Sequence, residues 1–259
     1  MNENTMISIT DLKMKYAQDY VLNGINLEIE KGQIIGYIGP NGAGKTTTIK
    51  ILLGMIEDFE GSVKIFNKEI SAANIEFKKR IGYVPEGGDI YESLTGSEHL
   101  EFIGKIYGLT DAVTAERSKA MAKLFEIDDV LGSRISSYSK GMKQKLIIIS
   151  ALIHNPDIIF LDEPLNGLDA NSVLVLKEVL SVLAQSGKTI FYSSHLMDVV
   201  EKISNRIVLI ADGKIIADGT FEELKKLSDK GSLEGIFNKL TGFSEHKEIA
   251  AKFVAALGE

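Results

Sequence analysis

Cysteine is absent from this chain, which excludes disulfide bridges, thiolate metal sites and cysteine nucleophiles together. Long apolar runs are missing too: the longest, Leu146–Ile153, falls far short of the roughly 20 residues a membrane-spanning helix needs. Met1-Asn2-Glu3-Asn4-Thr5 carries no basic segment followed by an apolar core, so no secretory signal is read and cytoplasmic residence is expected. A net charge of −7 provides no general basic face for phosphate contacts, and no nucleic-acid partner is expected. There is no internal repeat and no low-complexity linker. The remaining composition, 44% hydrophobic and 25% charged over 259 residues, excludes disorder and allows one large core or two modest ones.

What is present begins with Gly39-Pro40-Asn41-Gly42-Ala43-Gly44-Lys45-Thr46, followed by Thr47, a match to G-x-x-x-x-G-K-[ST]. Glycines let the backbone wrap a phosphate chain with its N–H groups aimed inward, and the helix that follows adds the positive end of its dipole. Lys45 neutralises phosphate charge in this reading, and Thr46 offers its hydroxyl to Mg²⁺. The flanks agree: Gln33–Ile38 reads as a buried strand, and Thr46–Leu53 as a helix stopped by Gly54. A nucleoside triphosphate is the implied ligand; a glycine-rich turn that happens to carry a lysine is the plain alternative.

Ile7-Ser8-Ile9 and Val21–Ile29 alternate apolar and polar residues, as antiparallel strands do. Gly61–Phe66 and Ile81–Pro85 read as further strands, and from about Ile90 to Asn155 the character turns helical, with a capping box at Thr95 and Glu98 and a stop at Gly108. Asp157–Leu161 and Thr189–Ser193 are continuous apolar runs of the kind buried on both faces of a parallel sheet. Asp212-Gly213 predicts a two-residue hairpin between Arg206–Ile210 and Lys214–Ala217. Beyond Thr220, which forms a second capping box with Glu223, the tail reads as short helices, with Ile249, Phe253, Val254 and Leu257 on one face.

Asp162-Glu163 closes the first of those two runs with paired carboxylates. Acidic residues at strand ends are common, but behind a phosphate loop the pair divides into a Mg²⁺ ligand through water, Asp162, and a group that polarises the attacking water, Glu163.

With these segments in hand, the chain from Ile7 to about Thr220 resembles the nucleotide-binding subunit of an ATP-binding cassette (ABC) transporter. Tyr138-Ser139-Lys140-Gly141-Met142 resembles the family's Leu-Ser-Gly-Gly-Gln signature, keeping Ser139 and Gly141. Leu165-Asn166-Gly167-Leu168-Asp169 resembles its D-loop, and His195 its switch histidine at the γ-phosphate. Tyr16 takes the place of the adenine-stacking aromatic, with Tyr20 close by as a competing candidate. Glu86 stands where the family has the Q-loop glutamine, and so acquires a Mg²⁺-approaching and membrane-linking role. Together, Glu86 and the Tyr-Ser-Lys-Gly-Met segment resemble the bacterial ABC-2, drug-exporter-type branch.

The resemblance implies a P-loop NTPase core of the α/β class with an N-terminal antiparallel β subdomain and an inserted α-helical subdomain. The implied organisation is an ABC ATPase domain over 1–219, the helical insertion at about 89–155, and a C-terminal helical tail over 220–259. It further implies ATP and Mg²⁺ as ligands, with Glu163, His195 and Lys45 catalytic. ATP would be held by Tyr16, Gly39–Thr47, Ser139 and Gly141, and the metal by Thr46, Asp162 and Glu86. A second nucleotide-binding subunit, most simply an identical copy, and an integral membrane permease are the implied partners, which puts the chain on the inner face of the cell membrane. Three rivals come from other classes. A soluble cassette ATPase acting on ribosomes or DNA would show tandem cassettes, coiled-coil insertions or a basic arm, and none is seen. A GTP switch would need Asp where Asn67-Lys68-Glu69-Ile70 has Ile70. A regulatory cassette that does not hydrolyse ATP is favoured by Glu86 and Lys140 and opposed by Glu163 and His195.

Overall fold

A computed structural model describes residues 4–71, 75–88, 90–227, 231–242 and 252–256. Strands β1 (Thr5–Tyr16) and β2 (Asp19–Glu30) form an antiparallel hairpin; alternation along β2 buries Ile25, Leu27 and Ile29 on a single face, and a register shift before Ile25 brings Leu22 into the same core. Strand β3 (Ile34–Ile38) runs into helix α1 (Lys45–Leu52). Strands β4 (Glu60–Ile65) and β5 (Lys68–Glu69) then complete a four-stranded sheet in the order β2-β1-β4-β5.

Five parallel strands build the central sheet: β3, β6 (Ile81–Val84), β7 (Ile158–Asp162), β8 (Thr189–Ser194) and β9 (Arg206–Ala211). Strand β10 (Lys214–Gly219) adds an antiparallel edge, giving the order β10-β9-β3-β8-β7-β6. All of β3, β7 and β8 is buried, which explains why these strands read as unbroken apolar runs. Successive residues point to opposite faces and so feed two cores. Ile35, Tyr37, Phe160 and Phe191 pack with α1 and the antiparallel sheet, whereas Ile34, Ile38, Leu161 and Tyr192 pack on the other side, against helices.

Those helices are α2 (Gly96–Ile106), α3 (Asp111–Leu124), α4 (Lys140–Leu152), α5 (Ala170–Gln185), α6 (Met197–Ile203), α7 (Phe221–Lys225) and α8 (Leu233–Thr241). Both predicted capping boxes, Thr95–Glu98 and Thr220–Glu223, form with reciprocal bonds. The hairpin at Asp212-Gly213 has φ of 48° and 70°, the left-handed pair such a turn requires. Short 3₁₀ turns at Asp128–Val130 and Ile135–Ser137 interrupt the helical stretch between α3 and α4. In the tail, Leu233, Ile236 and Phe237 of α8 enter the same core as α6. Phe253 and Val254 are exposed, and Ile249 and Leu257, expected on the same face, lie outside the described residues.

Candidate nucleotide site

The central sheet brings the ends of β3, β7 and β8 side by side, with Ile38 opposite Ser194 and Asp162 opposite Ser193. Crevices beyond the carboxyl ends of parallel strands are where such sheets bind ligands. From β3 the chain turns through Gly39–Gly44 into α1. Gly44 holds φ at 103°, and a Cβ there would lie 2.5 Å from Leu22 Cδ2, so both conformation and space demand glycine. As the N-cap it brings no side chain to the first turn of α1. Helices α2, α3, α4, α5, α7 and α8 are instead closed by Thr95, Thr110, Ser139, Asp169, Thr220 and Ser232. The first N–H groups of α1 are thus left to a ligand, where they and the helix dipole favour an anion.

Lys45 is buried, and its ammonium donates to the carbonyls of Gly39 at 2.7 Å and Pro40 at 3.1 Å. Burial lowers its pKa, and the carboxylates of Glu163, Asp162 and Glu86 work against that shift. Thr46 donates its hydroxyl to Asp162 Oδ2 at 2.8 Å. Asp162 is 1% exposed, and its Oδ1 is a buried oxygen with no hydrogen-bond partner. Burial, with a smaller push from the Glu163 charge, raises its carboxyl above the ordinary range, against the pull of the Thr46 and Ser193 hydroxyls and the Lys45 ammonium. A buried orphan carboxylate oxygen beside a threonine hydroxyl fits Mg²⁺, which takes one or two protein ligands and completes its shell with phosphates and water.

Glu163 is held at both oxygens. Ser194 donates to Oε2 at 3.1 Å, and His195 Nδ1 lies 2.8 Å from Oε1. Its backbone sits in the left-handed region at φ 49°, an uncommon place for a residue with a side chain. His195 itself is about half exposed. Glu86 is exposed just beyond β6 and still reaches the site electrostatically: burial first, then Asp162 and Glu86, push the Tyr83 hydroxyl up to about 12.

The structure therefore gathers Lys45, Thr46, Asp162, Glu163 and His195 around the phosphate loop, with Glu86 at its margin. Ser139 and Gly141 belong to a different contact. Ser139 caps α4 by accepting from Met142 N at 3.2 Å, and a Cβ on Gly141 would come within 2.7 Å of Gly167 O. Two further bonds tie this turn to the segment after β7: Gln144 Nε2 donates to Pro164 O at 2.9 Å, and Lys145 pairs with Asp169 at 3.0 Å. Tyr16 stands at the tip of the β1–β2 hairpin opposite Asp19, more than half exposed, with Tyr20 under the Lys15 ammonium beside it. Ser194, Gln144 and Lys145 carry no motif of their own. Only the pairing of β7 with β8, which sets Ser193 against Asp162, would have pointed to Ser194.

The profile of the ABC transporter family matches residues 22–166. ABC transporter ATP-binding protein NatA of Bacillus subtilis is 34% identical over 238 residues, which is 90% of this chain and 96% of the relative. Bacitracin transport ATP-binding protein BcrA of Bacillus licheniformis is 34% identical over 231 residues, covering 88% of this chain and 74% of the relative. A solved structure described as the ATP-binding subunit of an ABC transporter superposes with a TM-score of 0.86 at 30% identity, over 92% of this chain and 100% of its own. The chain belongs to the ABC transporter family, as an ATP-binding subunit that powers transport.

Proposed function

We propose that the chain binds Mg-ATP at Gly39–Thr47 and hydrolyses it between two copies of itself, and that closure of this pair drives a separate membrane permease in export. The observation that carries the reading is the meeting of Lys45, Thr46, Asp162, Glu163 and His195 at three adjacent strand ends. Loop N–H groups and Lys45 bind the phosphates. Thr46, the free oxygen of Asp162 and, from the margin, Glu86 are the groups available to hold Mg²⁺. The metal, when bound, supplies positive charge for the phosphate oxygens. Glu163 orients the attacking water and takes its proton, and His195 turns from Glu163 to the terminal phosphate.

Ser139 and Gly141 start a helix whose N-terminus is an anion site with Lys140 in its first turn and no metal-holding carboxylate of its own. In this reading that turn closes over the ATP held by a second copy, and Tyr16 stacks on adenine. The division into a cassette over 1–219, a helical insertion at about 89–155 and a tail over 220–259 follows the same reading.

Coupling to the permease runs through a groove of about 320 Å³ between the loop after β6 and the helical segment, lined by Tyr83, Pro85, His99, Ile103, Tyr107 and Ile147. Among the described residues no helix is long and apolar enough to cross a membrane. A peripheral position on the inner face of the membrane follows from the permease. Export is supported by the name of a further relative, Nod factor export ATP-binding protein I of Ralstonia nicotianae, 32% identical over 219 residues. The test is Mg-dependent ATP turnover of the purified chain, expected to vanish in Lys45→Ala and Glu163→Gln. Glu163→Gln should also form dimers in saturating Mg-ATP by light scattering; a persistent monomer would overturn the two-copy mechanism.

A further inference from the structure

Ser194 ends β8, is 1% exposed, and its hydroxyl acts both as acceptor and as donor. Its oxygen accepts from Leu196 N at 3.0 Å, and its proton goes to Glu163 Oε2 at 3.1 Å. The Leu196 N–H occupies a lone pair, so the hydroxyl rotor has one orientation in which both bonds are made. Leu196 is the N-cap of α6, whose cap has no side-chain bond of its own, so one serine oxygen joins that helix start to the Glu163 carboxylate. Glu163 departs from β7 with φ at 49°, so the aim of its side chain is not set by regular backbone and must be set by what it touches. Its other oxygen meets His195, which is exposed and free to leave when a phosphate arrives; Ser194 is buried and stays.

We propose that Ser194 is a positioning residue for hydrolysis: its hydroxyl fixes the Glu163 carboxylate toward the attacking water and keeps it there when His195 moves away. The proposal rests on Glu163 being the group that activates water. Serine supplies this only through Glu163, because its single proton is already given to that carboxylate.

Steady-state turnover, ATP binding and melting are to be measured on the purified full chain. Ser194→Ala should lower kcat about tenfold, within the range a misplaced proton-transfer group loses, with the KM for ATP unchanged within about twofold. Ser194→Thr, which keeps the hydroxyl, should restore kcat to within about twofold. Ser194→Cys, similar in shape with a weaker donor, should fall between them. In a Glu163→Gln background, where turnover is expected to vanish, Ser194→Ala should leave the lifetime of the ATP-bound dimer unchanged within about twofold, since both changes act on one step. A readout apart from turnover is the ATP-bound dimer, which should persist longer in Ser194→Ala than in the parent chain by light scattering. Unchanged kcat in Ser194→Ala, equal loss in the Ala and Thr variants, or a changed dimer lifetime when Ser194→Ala is added to Glu163→Gln would each overturn the proposal. Full turnover in Glu163→Gln would instead overturn the reading of Glu163, which separates the two failures.

Discussion

Strand β7 carries an aspartate at each end of its sheet, and the two are treated in opposite ways. Asp157, just before the strand, accepts from Arg80 at 2.6 Å and lies 3.4 Å from Lys188, cross-linking the entries of β6, β7 and β8. Burial alone would raise its carboxyl, but the Arg80 and Lys188 cations bring it below the ordinary value. Asp162, five residues on, has one oxygen on Thr46 and the other without a hydrogen-bond partner, and its carboxyl is raised. A closed end is built for stability, and an open end keeps buried charge unsatisfied at a cost to stability. Such unpaid sites mark where a ligand belongs.

Replacing each aspartate by asparagine breaks this contrast most directly. Asp162→Asn should lower Mg-dependent turnover by about two to three orders of magnitude, the scale of losing a preorganised charge at a reacting phosphate. The same change removes a buried charge, so the nucleotide-free protein should melt no lower than the parent in calorimetry. Asp157→Asn should do the reverse, with turnover intact and a stability loss of about 0.5–1 kcal/mol, kept small because Asp157 is partly exposed and solvent-screened. Equal effects of the two substitutions on turnover would erase the distinction between the ends.

The second effect in size concerns the two helix starts that the mechanism uses. The first turn of α1 has Gly44 for a cap and strand ends on both sides; that of α4 is capped by Ser139 and pressed against Gly167. Gly141→Ala pushes a methyl group into the Gly167 carbonyl at 2.7 Å, so the turn and the D-loop must part. Turnover should fall about tenfold or more while ATP affinity of the single chain, read by calorimetric titration, stays within about twofold. A large loss of single-chain affinity would place the α4 turn on the same nucleotide as Lys45 and collapse the two half-sites into one.

Much of this was legible because it is local. The phosphate loop, both capping boxes, the hairpin at Asp212-Gly213 and the buried runs of β7 and β8 each lie within a few consecutive residues, and local backbone chemistry fixes them. The Ser194–Glu163 bond, the Gly141–Gly167 approach and the packing of Phe237 into the sheet core join residues far apart in sequence. They depend on strand register and helix placement, which no short motif encodes. Glu163 was visible as a residue, but its left-handed backbone and its clasp by two consecutive side chains were not.

The smallest effect is a pH dependence at the closed end and beneath the groove beside β6, carried by the buried His99 and the partly buried His154. His154 Nε2 donates to Ile81 O at 2.9 Å, and its ring stacks on Tyr107 at 3.6 Å. His99 Nε2 meets Ser150 Oγ, whose own proton goes to Leu146 O, so the imidazole is the donor there as well. In both rings Nδ1 is therefore the bare nitrogen, buried without a partner, and a second proton would have nothing to bond. Burial lowers both pKa values, helped at His154 by Lys188 and Arg117 and opposed there by the Ile81 carbonyl. The unfolded chain binds these protons below about 6.5 while the folded chain refuses them, so stability is full above that pH and falls as acid is added. The carboxylate of Asp157 gives up its contribution only at pH values below about 3.9. Melting temperatures followed from pH 7.5 to 5 should thus decline, and His154→Gln, which keeps a donor but cannot be protonated, should flatten the decline. Asp162, whose carboxyl is raised, works in the opposite direction at the open end, so a slope unchanged in that variant, and also in His99→Gln, would overturn the assignment of the decline to these two rings.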